Sequence, residues 1–317
     1  MFFYIVFIIL GFFLLIKGAD FLVDGASDVA KKFRIPTIII GLTIVAIGTS
    51  MPELMVSSTA SLEGHSDMSI GNIVGSNIAN LFFILGVCSI IKPLKFQIET
   101  ERKENFITIF ATILLFFFGN NTKQNIITRI DGIILLGCAI IFMIYNIIRA
   151  KKERESLIEF EKKEQISIFK AIFGIILGIF ALKMGGDVVV TYSSKIARIL
   201  GISEKIISIT ILAFATSLPE LITSVSATLK GETDMAIGNI IGSQIFNIFL
   251  IIGVSAILSP INYSVHYNLD MIVLIFGTIV FAIFPFVGKK HYMSRLNGLI
   301  FVIVYILYII YSIFCAI

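Results

Sequence analysis

One segment of this chain occurs twice. A shift of 167 positions lays Gly41–Lys95 on Ser208–Asn262 without a gap, and 28 of the 55 aligned positions are identical. The first copy reads GTSMPEL and then SIGNIVGSNIAN; the second reads ATSLPEL and then AIGNIIGSQIFN. Weaker echoes extend upstream, where Gly18 and Asp20 fall on Gly185 and Asp187. Chance does not produce self-similarity of this length, so the chain is read as two related halves, 1–149 and 167–317, joined by a linker at 150–166.

The composition says what medium those halves occupy. Hydrophobic residues make up 57% of the chain and charged residues only 15%, with a mean hydropathy of +0.99. Water-soluble domains carry about 25% charged residues, which excludes an ordinary soluble enzyme. The net charge of +4, from 25 basic and 21 acidic residues, is too balanced for a nucleic-acid partner. Cys88, Cys138 and Cys315 lie in apolar runs without metal-ligand spacing and read as packing residues.

A hydrocarbon core about 30 Å thick takes roughly 20 residues per helix. Ten stretches approach that length, at 2–22, 37–60, 68–92, 105–119, 131–149, 168–190, 204–228, 235–259, 269–287 and 296–316. The expected fold is an all-α polytopic membrane protein with five spans in each half. Met1 to Ile16 lacks the basic leader and small-residue cleavage site of a signal peptide and reads as part of the first span. With the N-terminus outside, 17 basic residues fall in cytoplasmic segments and 5 in external ones. The positive-inside bias therefore places the charged linker in the cytoplasm of a cell-membrane protein.

Five is an odd number, so the second half enters the membrane from the side opposite to the first. Inverted halves are a recurrent architecture of secondary transporters, which hold their ion near the midplane where the copies meet. Alternating access uses such a pair, because two equivalent half-structures can exchange inward and outward forms.

Polar residues deep in the apolar spans mark the candidate site. Glu53 and Glu220 each follow a proline, Pro52 and Pro219, which removes a backbone donor and breaks the helix. The carbonyls of Ala46, Thr49, Ala213 and Thr216 are expected to be released there as ligands. Carboxylates with carbonyls beside them suit hard cations such as Ca²⁺. The next span of each copy places Ser76 and Asn80, or Ser243 and Asn247, four apart on one helix face after a Gly-x-x-x-Gly pair. That pair alone is a common helix-packing motif, but with a hydroxyl and an amide repeated in both halves it reads as an ion site. Asp20, Asp24 and Asp28 are expected to end the first span, and Asp67 and Asp234 to open later helices, where acidic residues favour the N-terminus. His65, His266 and His291 fall in loops or at span ends, which argues against a histidine proton relay.

At these residues the sequence resembles the calcium/cation antiporter superfamily, and within it the sodium/calcium exchanger branch of prokaryotic type. Duplicated GTS-x-PE and GN-x-x-GS motifs carry the resemblance, with Ala215 in place of Gly48 in the second copy. It implies two inverted five-helix halves and four cation sites between the second, third, seventh and eighth helices. On that likeness Glu53 and Glu220, with the carbonyls of Thr49 and Thr216, would hold Ca²⁺. Ser50, Ser76, Ser217 and Ser243, with the carbonyls of Ala46 and Ala213, would complete flanking Na⁺ sites. Several microbial and potassium-dependent relatives carry Asp where this chain has Asn80 or Asn247, and proton-coupled relatives carry a carboxylate where it has Gly75 and Gly242.

The sequence thus points to a Ca²⁺/Na⁺ antiporter working as a monomer in a lipid bilayer, with no cofactor beyond its transported ions. Proton-coupled or potassium-dependent antiport stands as the alternative. A cation channel fits less well, because a pore has no need of antiparallel duplication. No Ser/His or Cys/His pairing, cofactor loop or HExxH helix suggests an enzyme.

Overall fold

The computed structural model describes residues 2–65, 67–95, 98–121, 125–156, 167–201, 213–284 and 292–316. These residues are predominantly helical. In chain order the helices are α1 (Phe2–Phe33), α2 (Thr37–Thr49), α3 (Met51–Leu62), α4 (Met68–Ile91), α5 (Ile98–Asn120) and α6 (Arg129–Ser156). They continue as α7 (Ile168–Ile199), α8 (Ala213–Thr216), α9 (Leu218–Leu229), α10 (Thr233–Leu258), α11 (Tyr267–Ile283) and α12 (Arg295–Ala316). The described parts of the ten expected stretches are helical except at Ser50 and Ser217, where the helix breaks, and at the closing residues Lys92 and Ser259. Among the described residues six helices are long and apolar enough to cross a membrane alone, and α2 with α3 forms a seventh candidate bent by 46°.

The first span was expected to stop near residue 22, with Asp20, Asp24 and Asp28 at its end; instead α1 runs unbroken to Phe33. Nothing in 22–33 disrupts a helix, and termination waits for Arg34, which takes a positive φ of 55°, and for Pro36. There Ile35 N–H bonds the Ala30 carbonyl and Arg34 N–H the Lys31 carbonyl, a Schellman closure. The three aspartates therefore sit inside a helix rather than ending one. Likewise 150–156, read as linker, continues α6. The rest of the linker, 157–166, lies outside the described residues, as do the opening of the 204–228 span and His291. Asp234 falls in the first turn of α10, as expected; Asp67 opens its helix, but its side chain is outside the described set.

Small residues set the helix spacing. Helices α1 and α7 run antiparallel in backbone contact: a Cβ added to Gly18 would lie 2.9 Å from the Gly178 carbonyl, and one added to Gly11 3.0 Å from that of Gly185. At the centre α2 crosses α10 equally closely, and a Cβ on Gly238 would come within 2.4 Å of the Ile38 carbonyl. Two short antiparallel ribbons tie one half of the chain to the other. In them β1 (Leu94–Lys95) pairs with β4 (Tyr292–Met293), and β2 (Ile126–Ile127) with β3 (Ile261–Asn262).

The main core gathers apolar side chains of α2, α4, α5, α6, α10 and α11, with Phe246, Phe249 and Phe281 wholly buried. Helices α1, α6, α7 and α12 instead expose large apolar side chains along their length, including Phe13, Ile141, Phe180 and Leu307. A protein dissolved in water does not leave such faces open; lipid covers them. Cys88 is buried and unpaired, and Cys138 is partly buried. Both pack as expected; the side chain of Cys315 lies outside the described set.

Candidate functional site

The two prolines break their helices in the same manner. Each sits second in its helix, α3 or α9, just after Ser50 or Ser217, whose ψ values of 7° and 1° leave the helical range. Past each break the ladder resumes, with Leu54 N–H on the Ser50 carbonyl and Leu221 N–H on that of Ser217. The Ala46 carbonyl is not released as expected. It accepts the Ser50 N–H at 3.0 Å and the Thr49 hydroxyl at 3.3 Å. The reason is register: Pro52 removes the donor owed to residue 48, four positions back, and leaves the donor for Ala46 in place.

Glu53 and Glu220, at the first turns of α3 and α9, are fully buried. Glu220 is bonded to the other half of the chain directly, and Glu53 reaches it through Ser76. Ser50 donates to Glu220 Oε1 at 3.0 Å. Ser76, on α4, donates to Glu53 Oε1 at 3.5 Å and lies 3.4 Å from the Thr216 hydroxyl, which belongs to the break preceding Glu220. Thr49, Ser50, Glu53, Ser76, Thr216 and Glu220 thus form one buried cluster.

The remaining expected residues surround it without joining its hydrogen bonds. Ser217 Oγ and Ser243 Oγ are buried without a partner, and so are both amide atoms of Asn80. Asn247 Nδ2 donates to Asn77 Oδ1 at 2.9 Å, in a layer where Asn77 Nδ2 bonds the Gln244 carbonyl. The backbone of Ala213 opens α8; its side chain is outside the described set. Asn80 and Asn247 each begin a wide turn of π-helix, over Ala79–Ile84 and Asn247–Ile252, a local change common at functional sites.

Two asparagines of the duplicated motif, Asn72 and Asn239, stand outside the expected ligand set, yet they hold the site threonines. Thr49 donates to Asn239 Oδ1 at 3.1 Å, and Thr216 to Asn72 Oδ1 at 3.3 Å. Behind them Asn239 Nδ2 bonds Ser224 Oγ and Asn72 Nδ2 bonds Ser57 Oγ, at 2.9 and 3.0 Å. The signal was available, because Asn72 and Asn239, and Ser57 and Ser224, are identical between the copies.

Chemically the cluster is rich in acceptors. Glu53 Oε2, Glu220 Oε2, Asn80 Oδ1 and Asn247 Oδ1 are buried and unpartnered, next to hydroxyls that can turn their lone pairs inward. Buried oxygens carrying two negative charges fit hard cations. Among the described residues no group of three or more His, Cys, Asp or Glu side chains comes together.

A cleft of about 500 Å³ leads toward this cluster. Its inner end is formed by Pro52, Thr216 and Pro219, and its mouth by Glu63, His65, Lys183 and Asp187, between α3 and α7.

The sequence profile of the sodium/calcium exchanger protein family matches residues 3–148 and 170–314. The putative antiporter CaxA of Alkalimonas amylolytica is 34% identical over 310 residues, 96% of each chain. The sodium/calcium exchanger MaX1 of Methanosarcina acetivorans is 31% identical, also over 96% of each chain. Among solved structures, the sodium-calcium exchanger NCX_Mj soaked with 10 mM Na⁺ and zero Ca²⁺ superimposes with a TM-score of 0.82 and 32% identity, covering 96% of this chain and 97% of that one.

Proposed function

Because the chain belongs to the sodium/calcium exchanger protein family, we propose that it exchanges Ca²⁺ for Na⁺ across a cell membrane by alternating access. It is a multi-pass membrane transporter of the cation antiporter class, and ions are its substrates rather than cofactors. The observation that carries the sodium-for-calcium reading is the buried pair Glu53 and Glu220, with Glu220 hydrogen-bonded to Ser50 of the opposite half and Glu53 to Ser76, which in turn meets Thr216 of the opposite half. In this reading their free oxygens and the carbonyls of Thr49 and Thr216 bind Ca²⁺. Ser50, Ser76, Ser217, Ser243, Asn80 and Asn247, with the carbonyls of Ala46 and Ala213, complete the flanking Na⁺ positions. The Ala46 carbonyl contributes there beside its helical bond when the Thr49 hydroxyl gives its proton to Asn239 Oδ1 instead, which frees the second lone pair of that carbonyl.

Charge explains why exchange is obligatory. Two glutamates supply −2, which one Ca²⁺ or two Na⁺ cancel. Carrying the uncancelled pair through a low-dielectric interior costs several kcal/mol per ion even after relaxation. The empty carrier is therefore stalled, and only loaded forms reorient.

The same reading divides the chain into two inverted five-helix halves, 1–149 and 167–317, with the N-terminus outside and the 150–166 linker cytoplasmic, acting as a monomer. The antiparallel course of α1 and α7 supports it, since Gly11 and Gly18 correspond to Gly178 and Gly185 under the 167-position shift. So do the two ribbons, each pairing a strand of one half with a strand of the other. The deciding measurement is uptake of radiolabelled Ca²⁺ into proteoliposomes loaded with Na⁺, compared with K⁺ loading and with an imposed pH gradient. Uptake driven by the Na⁺ gradient alone is expected; uptake driven equally by a proton gradient would replace sodium with proton coupling.

A further inference from the structure

Two seams related by the 167-position shift differ in this structure. Under that shift Asp20 corresponds to Asp187, Asp24 to Thr191, Thr59 to Ser226, Ala60 to Ala227 and Glu63 to Lys230. Between α3 and α7 lies the open cleft, lined by Thr59, Ala60, Glu63, Asp187 and Thr191. Between α9 and α1 the equivalent seam is closed. Ala227 is 1% exposed against 8% for Ala60 in the cleft, Ser226 Oγ donates to Asp20 Oδ1 at 3.0 Å, and Lys230 Nζ reaches three oxygens of α1. These are Asp24 Oδ1 at 2.7 Å, Asp20 Oδ1 at 3.2 Å and the Asp20 carbonyl at 3.2 Å. Asp187 lies two residues past Gly185, which faces Gly11, on the side away from Asp20, and Asp20 is nine residues beyond Gly11. The two seams therefore sit about 16 Å apart along the paired helices.

We propose that Lys230, with Asp20, Asp24 and Ser226, is a latch that closes the cytoplasmic path to the cation site and biases the ion-free carrier toward the form open on the opposite side. The charges explain why only one seam is held. At the closed seam a lysine meets two carboxylates. At the open seam the corresponding residues are Glu63 and Asp187, two like charges, and Asp187 takes its ion pair from Lys183 on its own helix, at 2.8 Å. No attraction of that kind draws α3 onto α7. Lys230 and Asp20 retain 30% and 35% exposure of their side chains, so water weakens the pairs. The latch therefore shifts populations by a few-fold and remains breakable, which a carrier that must open on both sides requires.

The proposal rests on the alternating-access reading, but its test does not need transport. In full-length protein reconstituted in nanodiscs, with the native cysteines replaced by alanine, Ala60→Cys reports the open seam and Ala227→Cys the closed one. A water-soluble maleimide in the absence of Na⁺ and Ca²⁺ should label the first quickly and the second slowly. Adding Lys230→Gln should speed labelling at the second position several-fold and slow it at the first. The charge exchange of Lys230→Asp with Asp24→Lys should restore the original ratio. If Lys230→Gln does not yield folded protein, the milder Asp24→Asn should shift the ratio in the same direction. Unchanged labelling ratios in folded variants would overturn the latch, even with calcium exchange intact. A shifted ratio in a protein that exchanges no Ca²⁺ for Na⁺ would keep the latch and discard the exchanger reading.

Discussion

Ser50 donates its hydroxyl to the carboxylate of Glu220, 170 positions away, at 3.0 Å, while the equivalent hydroxyl of Ser217 has no hydrogen-bond partner. Two residues that the duplication makes interchangeable therefore do different work. A buried hydrogen bond to a charged group contributes about 1.5–3 kcal/mol, whereas removing an unsatisfied buried hydroxyl is close to neutral. Ser50→Ala should lower the thermal stability of the ion-free protein by about that amount, and Ser217→Ala should leave it nearly unchanged. Thermal unfolding in detergent without Na⁺ and Ca²⁺ measures both.

The carboxylates themselves carry the transport reading. Glu53→Gln or Glu220→Gln keeps the shape and removes a charge that cations would neutralise. Losing one partner of a buried charged contact costs about 3 kcal/mol or more, or roughly 100-fold in affinity. Calcium exchange in proteoliposomes should fall to background while gel filtration and circular dichroism remain those of the parent. Normal exchange by either variant would remove the assignment.

Asn239 positions rather than supplies charge. It accepts from Thr49 and donates to Ser224, so Asn239→Ala leaves the buried Ser224 hydroxyl without this partner and the Thr49 hydroxyl with only its 3.3 Å contact to the Ala46 carbonyl. Stability should drop by about 1–3 kcal/mol, and the Ca²⁺ concentration for half-maximal exchange should rise several-fold with a smaller effect on maximal rate. Asn72→Ala should act in the same direction through Thr216.

Backbone proximity makes a sharper contrast. Gly238→Ala drives a methyl to within 2.4 Å of the Ile38 carbonyl, on the helix that leads to Ser50. Overpacking of this kind costs about 1–3 kcal/mol. Gly186→Ala, which has open space around it where it lines the cleft, should be tolerated. Melting temperatures of the two purified variants should separate clearly.

A second buried charge lies away from the cation site. Glu104 is wholly buried at the start of α5, and its carboxylate pairs with Arg149 of α6, which also bonds Glu153. Arg149→Leu abandons the Glu104 charge in an apolar setting and should destabilise the protein by about 3–5 kcal/mol. The double variant Glu104→Leu with Arg149→Leu should recover much of that loss, which paired unfolding curves would reveal.

The apolar periods and the duplicated motifs were enough to identify a helical membrane protein and to single out Glu53 and Glu220, both of which the structure buries, because burial of charge in lipid and repetition are both properties of the linear chain. The same reading placed the end of α1 near residue 22 and released the wrong carbonyl at Ala46. Helix ends are decided by local strain at Arg34 and Pro36, and carbonyl release by which donor the proline removes. Asn72 and Asn239 were visible as repeated letters, but their bonds to Thr216 and Thr49 exist only where helices distant in sequence cross.

Sequence alone determined that the two halves are equivalent, since their identities are the record of one segment used twice. Only the tertiary structure decided how that equivalence is broken: Ser50 bonded and Ser217 not, Lys230 locked onto α1 while Glu63 stands at an open cleft. The physical reason is that matching residues have matching propensities but different neighbours. Which seam closes depends on charges brought together from opposite halves of the chain.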